Sequence, residues 1–238
     1  MPGKRLLRIL EQLGANGGAE PGTARRLCEV SVEAVAVTGA GVMLMSDDVR
    51  RGSLCSSDAV SRVIEDLQYT LGEGPCVDAY ADDTPVLEPD LANPDVARWV
   101  AFSPPAVAAG ARAVFGFPMR VGAVRLGALN LYLDQPGTLS DDQHADAVVM
   151  AGVAARAVLA MQAQAPPGAV AAELEAGSDF HFVVHQASGM IAVQLDVSLV
   201  EALIRLCAYA FANDRPLTNV ADDVVARRLR FPRAHRGR

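Results

Sequence analysis

The stretch from Ala147 to Met161 constrains this chain more than any other, because Arg156 is its only polar side chain. Just before it, Leu139-Ser140-Asp141-Asp142-Gln143 has the form of a capping box, with Ser140 as N-cap and Gln143 three residues on. The predicted helix runs to about Gln164 and is apolar on every face, so it must be buried on more than one side. The apolar run Ala147 to Met161 is too short for a bilayer and carries Arg156 in its middle, so no membrane span is expected. One side is expected to cover a sheet. The other, lined by Val148, Gly152, Ala155, Leu159 and Gln162 at alternating spacings of four and three, fits a partner helix, so a homodimer through residues 141–163 is expected.

Upstream, Thr23 to Thr38 carries Leu27, Val30, Ala34 and Val37 at helical spacing, and Gly39-Ala40-Gly41 stops that helix before the apolar run Val42 to Met45. Asp47-Asp48 marks a turn, Ser53-Leu54-Cys55 a second strand, and Asp58 opens a helix through Tyr69 with Val60, Val63, Ile64 and Leu67 on one face. Residues 81–110 read as loop, with one or two helical turns near Trp99. Residues 113–133 read as an antiparallel hairpin turning at Val121-Gly122-Ala123. The fold class is therefore α+β, an antiparallel sheet flanked by helices.

Pro166-Pro167-Gly168 and the Ala/Glu stretch after it mark a linker over 164–177. Three helices follow. The first, Asp179 to Leu195, buries Val184, Ala187, Ile191 and Leu195; the second opens at Ser198 with Glu201 in capping-box position and uses Leu199, Leu203, Leu206 and Ala210. The third opens at Thr218, with Val220, Val224 and Val225 inward. The organisation is then an N-terminal segment 1–20, an α+β domain 21–163, the linker, a three-helix module 178–230 and a basic tail 231–238.

Net charge is -7, yet the last twelve residues hold six arginines and no acid. Any polyanion would meet that end. Four dispersed cysteines, Cys28, Cys55, Cys76 and Cys207, encode neither a zinc knuckle nor a disulfide framework, and reduced buried thiols are the default. The N-terminus carries no signal-peptide pattern, so a cytoplasmic location is expected.

The element order and the stretch Leu71-Gly72-Glu73-Gly74-Pro75-Cys76-Val77-Asp78-Ala79 resemble a GAF domain of the actinobacterial kind fused to ANTAR modules. His185-Gln186-Ala187-Ser188-Gly189-Met190, then Val197-Ser198, Glu201 to Leu206 and Leu217 to Val225, resemble an ANTAR domain. The resemblance implies a transcription antitermination regulator: a signal reaches the sensor, and paired ANTAR bundles hold RNA hairpins of a transcript leader. Where that family often has lysine and arginine, this chain has Ser188 and Cys207. The RNA-facing set implied is Gln186, Ser188, Arg205, Tyr209, Arg215, Arg227 and Arg228, with arginines on phosphates, Tyr209 stacking on a loop base and Gln186 reading its edge. Restoring a lysine at Ser188 is expected to strengthen the grip on RNA.

No enzyme is indicated. Adjacent Asp82-Asp83 and Asp222-Asp223 point apart instead of converging, and Gly39-Ala40-Gly41 precedes a strand, unlike a dinucleotide loop. His181 and His185 have the spacing of two zinc ligands with no third, so neither a metal nor a cofactor is expected. A small apolar ligand in the sensor would meet Met45, Cys55, Cys76, Trp99, Phe117 and Leu129. The competing reading is a small-molecule or protein-interaction sensor whose ANTAR module has lost RNA binding.

Overall fold

The protein is described by a computed structural model covering residues 2–14, 24–46, 49–164, 179–213, 215 and 217–231. It divides into two compact units, Met1–Val170 and Ala171–Arg238. The linker expected over 164–177 and the tail beyond Phe231 lie, Gln164 apart, outside the described residues.

The first unit is built on a five-stranded antiparallel sheet in the order β2-β1-β5-β4-β3. The strands are β1 Gly39–Ser46, β2 Val49–Ser56, β3 Val86–Glu88, β4 Ala113–Val121 and β5 Val124–Leu133. Its helices are α1 Pro2–Gly14, α2 Ala24–Val35, α3 Ala59–Leu71, α4 Pro75–Asp82, α5 Ser103–Ala109 and α6 Asp141–Gln164. The β4–β5 hairpin is as the alternation in 113–133 predicts. Its outer neighbour β3 covers only Val114 to Gly116 of β4, so the strand beyond is an edge, where Pro118 and the exposed Arg120 fall.

Residues directly opposite in antiparallel strands share a sheet face. Val42 pairs with Leu129 and Cys55, and Leu129 with Phe117, so all four lie on one face, toward α2 and α6. Gly41 pairs with Asn130 and Asn130 with Gly116, on the face toward α3 and α4. The cysteine expectation fails here: Cys28 of α2 and Cys55 of β2 form a disulfide across the first layer, 27 residues apart in sequence. Spacing in the chain is no guide to pairs brought together by a sheet and the helix lying on it. Cys76 and Cys207 are free thiols, both buried.

Helix α6 begins as its sequence predicts. Gln143 N–H donates to Ser140 Oγ at 3.3 Å, and Ser140 N–H returns a bond to Gln143 Oε1 at 3.0 Å. Asp141–Ala163 is the described helix long and apolar enough to cross a membrane, but it serves as core, burying Ala147, Met150, Ala154, Ala155 and Val158. Its second covered side is supplied within the chain. Helix α1 lies on it, buries Ile9 completely, and bonds through Arg5 to Asp142 and, at 2.8 Å, to Asp146, while Arg8 meets Asp146 at 2.6 Å. Ala155, assigned from sequence to a partner-facing stripe, is therefore interior, whereas Val148 is exposed and Gly152 and Leu159 are half-buried.

The second unit consists of α7 Asp179–Leu195, α8 Leu199–Ala212 and α9 Leu217–Val225. Val184, Ala187 and Ile191 form the buried stripe of α7, meeting Ala202, Leu206 and Ala210 of α8 and Leu217, Val220 and Val224 of α9. Leu199, expected inside, is exposed because it is the first residue of its helix, and Ala202 takes the interior position. Ser198 caps α8, accepting Glu201 N–H at 3.1 Å.

Candidate functional site

In the first unit the segment Leu71–Ala79 does structural work residue by residue. Gly72 takes the left-handed conformation, φ 68°, that ends α3, and its N–H bonds Gln68 O at 3.0 Å. Gly74, at φ 128°, leads into Pro75 at the start of α4. Glu73 Oε2 accepts the N–H groups of Ala101 at 2.9 Å and Phe102 at 3.3 Å, and Asp78 Oδ2 accepts the Trp99 indole N–H at 2.8 Å. These three bonds fasten the long loop over the sheet. Trp99 itself has φ 54°, a backbone conformation that neighbouring bonds must hold in place; Phe102 N–H and Ser103 N–H both donate to its carbonyl. Gly116 lets the turn close down, since a Cβ there would lie 2.2 Å from Pro75 O.

Thus fastened, the loop fills the sheet face. Trp99 and Phe102 meet edge to face at 5.9 Å and join Ile64, Ala79, Val86, Leu91, Val114 and Tyr132 in one apolar cluster. Beside it runs a buried polar strip. Ser61, Ile64, Glu65, Gln68 and Tyr69 form the buried stripe of α3, while Val63, expected inside, is exposed. Gln68 Oε1 accepts Cys76 N–H at 2.7 Å. Glu65 is fully buried and lies over Gly41, where a Cβ would stand 2.6 Å from its Oε1. Its two carboxyl oxygens and Asn130 Oδ1 are shut off from solvent with no well-formed hydrogen bond, though Asn130 is near enough to draw the Glu65 titration down. Burial wins: the Glu65 carboxyl is pushed up to about 8, and burial likewise lifts Asp66 to about 7 against the pull of Arg62. At neutral pH Glu65 is a neutral acid. Burial, and then the charge of Glu65, also push the Cys76 thiol well up, so it is a poor nucleophile.

The six ligand-pocket candidates therefore divide. Trp99 and Cys76 belong to the α3–α4 face. Phe117, Leu129 and Cys55 are on the opposite face, with Phe117 against the ring of His144 on α6 at 5.3 Å and Cys55 in its disulfide, so they line no common site with Trp99. Met45 is buried near the end of β1. Sequence reasoning missed Glu65, Gln68 and Asn130. The glycines that face two of them, Gly41 against Glu65 and Gly74 against Gln68, are the signal that could have found them.

In the second unit the RNA-facing candidates also separate. Ser188 is 3% exposed and donates its hydroxyl to Val184 O at 2.8 Å, so it belongs to the bundle interior, and a lysine there would be buried instead of meeting phosphate. Cys207 is likewise interior. Arg205 is engaged by Glu201, while Arg215 and Arg228 both hold Asp223, at 2.6 and 2.7 Å. Tyr209 meets Phe231 edge to face at 5.4 Å. Gln186 is exposed on the outer face of α7, far around the helix from its buried stripe, and it borders a groove of about 540 Å³ together with Arg227. The sequence reading did not place Arg230, Met190, Val193 or Gln194 there, yet all line it. The side chains of His181 and His185 lie outside the described residues.

A five-stranded antiparallel sheet in this order, closed by a terminal helix on one face and a fastened loop on the other, defines an α+β sensor-type domain. A family model for the GAF domain matches residues 19–159, more than half of the chain, and the chain belongs to that family. No curated protein matches it. Among solved structures it is similar to the GAF domain of an Acinetobacter phosphoenolpyruvate-protein phosphotransferase, at 13% identity and TM-score 0.49, over 68% of this chain and 96% of that one. It is also similar to a free methionine-R-sulfoxide reductase from Neisseria meningitidis in complex with its substrate, at 15% identity and TM-score 0.47, over 69% of this chain and 92% of that one. Likeness at this level bears on neither ligand nor chemistry.

Proposed function

We propose that the chain is a signal-responsive regulator in which the GAF unit senses and the three-helix unit is an ANTAR-type module that binds RNA hairpins to prevent transcription termination. The observation that carries this reading is the groove of the second unit, where Arg227 and Arg230 stand beside exposed Gln186 with no carboxylate partner among the described residues. Unpaired guanidinium groups next to an amide suit a phosphate backbone with accessible bases. Burial of Ser188 and Cys207 supports it further, since neither position would have offered a cation to RNA in this bundle.

The protein acts as a cytoplasmic homodimer, with the exposed Val148 and the half-buried Gly152 and Leu159 of α6 meeting a second copy. The sensor performs no catalysis: Cys76 is buried with its thiol held protonated. A ligand would have to displace the Trp99 loop, and a small apolar one matches what the loop now supplies.

The test is to sequence RNA that co-purifies with the full chain and to measure its affinity across salt. Transcript leaders with paired hairpins should be enriched, and log affinity should fall with log salt as phosphates are neutralised. Leu159→Asp should give monomer and weaken binding. One observation favours the competing interaction-sensor reading: Phe180 to Leu195 contains no Asp, Glu, Lys or Arg. Failure to enrich any RNA, even at low salt, selects it.

A further inference from the structure

We infer that the Cys28–Cys55 pair is a reversible dithiol–disulfide modification site through which the sensor reads the thiol redox state around it, an inference that rests on the cytoplasmic regulator proposed above. Where dithiol reductants are abundant a purely structural disulfide is rare, and one that forms there is ordinarily transient and reports redox state. The pair stands where exchange can reach it. Cys55 belongs to β2, the outermost strand of the sheet, which pairs among the described strands with β1 alone. That pairing slips register twice, between Val42 and Met43 and between Leu44 and Met45. Cys55 retains 9% exposure and Cys28 none, so Cys55 Sγ is the sulfur that an incoming thiolate meets.

The exchange balances within a single couple. A thiolate of an external dithiol bonds to Cys55 Sγ as the Cys28–Cys55 bond breaks, and Cys28 leaves as a thiolate that takes up a proton. The second thiolate of the dithiol then attacks its partner sulfur in the mixed disulfide, which closes the disulfide of the reductant and releases Cys55 to be protonated in turn. Two electrons and two protons pass to the pair. Oxidation is the same sequence reversed, with the disulfide of that couple as oxidant. Both end states suit the layer, because a free buried cysteine packs as a small apolar side chain.

What differs between them is spacing. Two separate thiols stand off at van der Waals contact, farther apart than bonded sulfurs, so reduction moves α2 away from the sheet edge. Helix α2 is bonded to both helices that complete this layer. Arg26 donates to Gln12 O of α1 at 3.0 Å, and Arg8 of α1 donates to Ala34 O at 3.4 Å. Gln143 Nε2 of α6 donates to Val35 O and Ala36 O, both at 3.1 Å, where α2 ends. Helices α1 and α6 are themselves joined through Arg5 and Arg8 to Asp146. In a close-packed layer a small displacement of α2 is therefore passed to α1 and α6.

The full chain is equilibrated in graded mixtures of reduced and oxidised dithiothreitol. Free thiols are then blocked with N-ethylmaleimide and mapped by mass spectrometry, and amide hydrogen exchange is followed on both forms. Cys28 and Cys55 should pass together and reversibly between paired and free. Exchange in α1 and the first turns of α6 should quicken about tenfold on reduction, within the span of ordinary couplings. Cys28→Ala with Cys55→Ala should show the fast rates in every mixture; should that variant not fold, the two redox forms of the wild type carry the comparison unaided. A disulfide that opens only in urea overturns the redox site, and so does reduction whose faster exchange stays within α2 and β2. RNA retention, followed on both forms, separates the failures. A responsive pair with no RNA bound leaves the redox site standing and removes the antitermination reading, and RNA bound beside an unresponsive pair does the reverse.

Discussion

Replacing Glu65 with glutamine isolates the energetic cost of a buried carboxyl, because glutamine keeps the shape that fills the space over Gly41 and cannot ionise. In the folded chain the Glu65 carboxyl holds its proton up to about 8, against 4.5 when unfolded. Below 4.5 both states are protonated and the carboxyl contributes nothing to pH dependence. Between 4.5 and about 8 only the unfolded chain releases the proton, so stability falls as pH rises, by about 1.4 kcal/mol per pH unit. The accumulated penalty is roughly 3 kcal/mol at neutral pH and roughly 5 kcal/mol above pH 8. Glu65→Gln should therefore match wild type within about 1 kcal/mol at pH 4.5 and exceed it by those amounts at higher pH. Asp66, also raised by burial, leaves a residual slope in both proteins. The chain has a single tryptophan, and it is Trp99, so urea unfolding followed by its emission reports this unit directly. Parallel stability curves for the two proteins from pH 5 to 8.5 would refute the account of a neutral buried acid.

Three further outcomes are expected. Removing the disulfide by Cys28→Ala with Cys55→Ala should lower stability by about 3 kcal/mol, the entropy released by opening a loop of 27 residues, and reductant should bring wild type to the same midpoint. Gly116→Ala, whose Cβ would collide with the Pro75 carbonyl at 2.2 Å, should cost more than about 2 kcal/mol and shift Trp99 emission to the red as the turn lifts. Ser188→Lys should unfold or loosen the three-helix unit, seen as loss of helical circular dichroism at lower temperature, and should give no gain in RNA affinity, because the lysine enters the core.

The long elements were legible because apolar patterning and capping chemistry agreed in them: the β4–β5 hairpin, α6 with its Ser140–Gln143 box, and the buried stripe of α7. The sensor's second face was not. A helix is read by its apolar residues, and α3 buries Ser61, Glu65 and Gln68, so its buried face was assigned one position off, at Val63. Helix α4 and strand β3 were hidden in a Gly-, Pro- and Asp-rich stretch whose order comes from contacts distant in sequence, Glu73 to Ala101 and Asp78 to Trp99. The strand candidates Cys55, Phe117 and Leu129 fell on the face opposite Trp99 and Cys76, because strand alternation does not say which face carries which helices. In the second unit the arginines were visible, but their carboxylate partners Glu201 and Asp223 were not, and those partners decide which cations are free.

The brevity of β3 has a consequence for how this protein behaves when crowded. Past Gly116 no described strand pairs with the outer margin of β4, a place where a strand from another molecule would ordinarily dock and seed aggregation. Pro118 interrupts that margin with a residue that has no N–H to offer, and just beyond it Arg120, paired with Asp83 at 3.3 Å, places an ion pair that an incoming strand would have to desolvate. The sheet thereby ends in a boundary that refuses recruits.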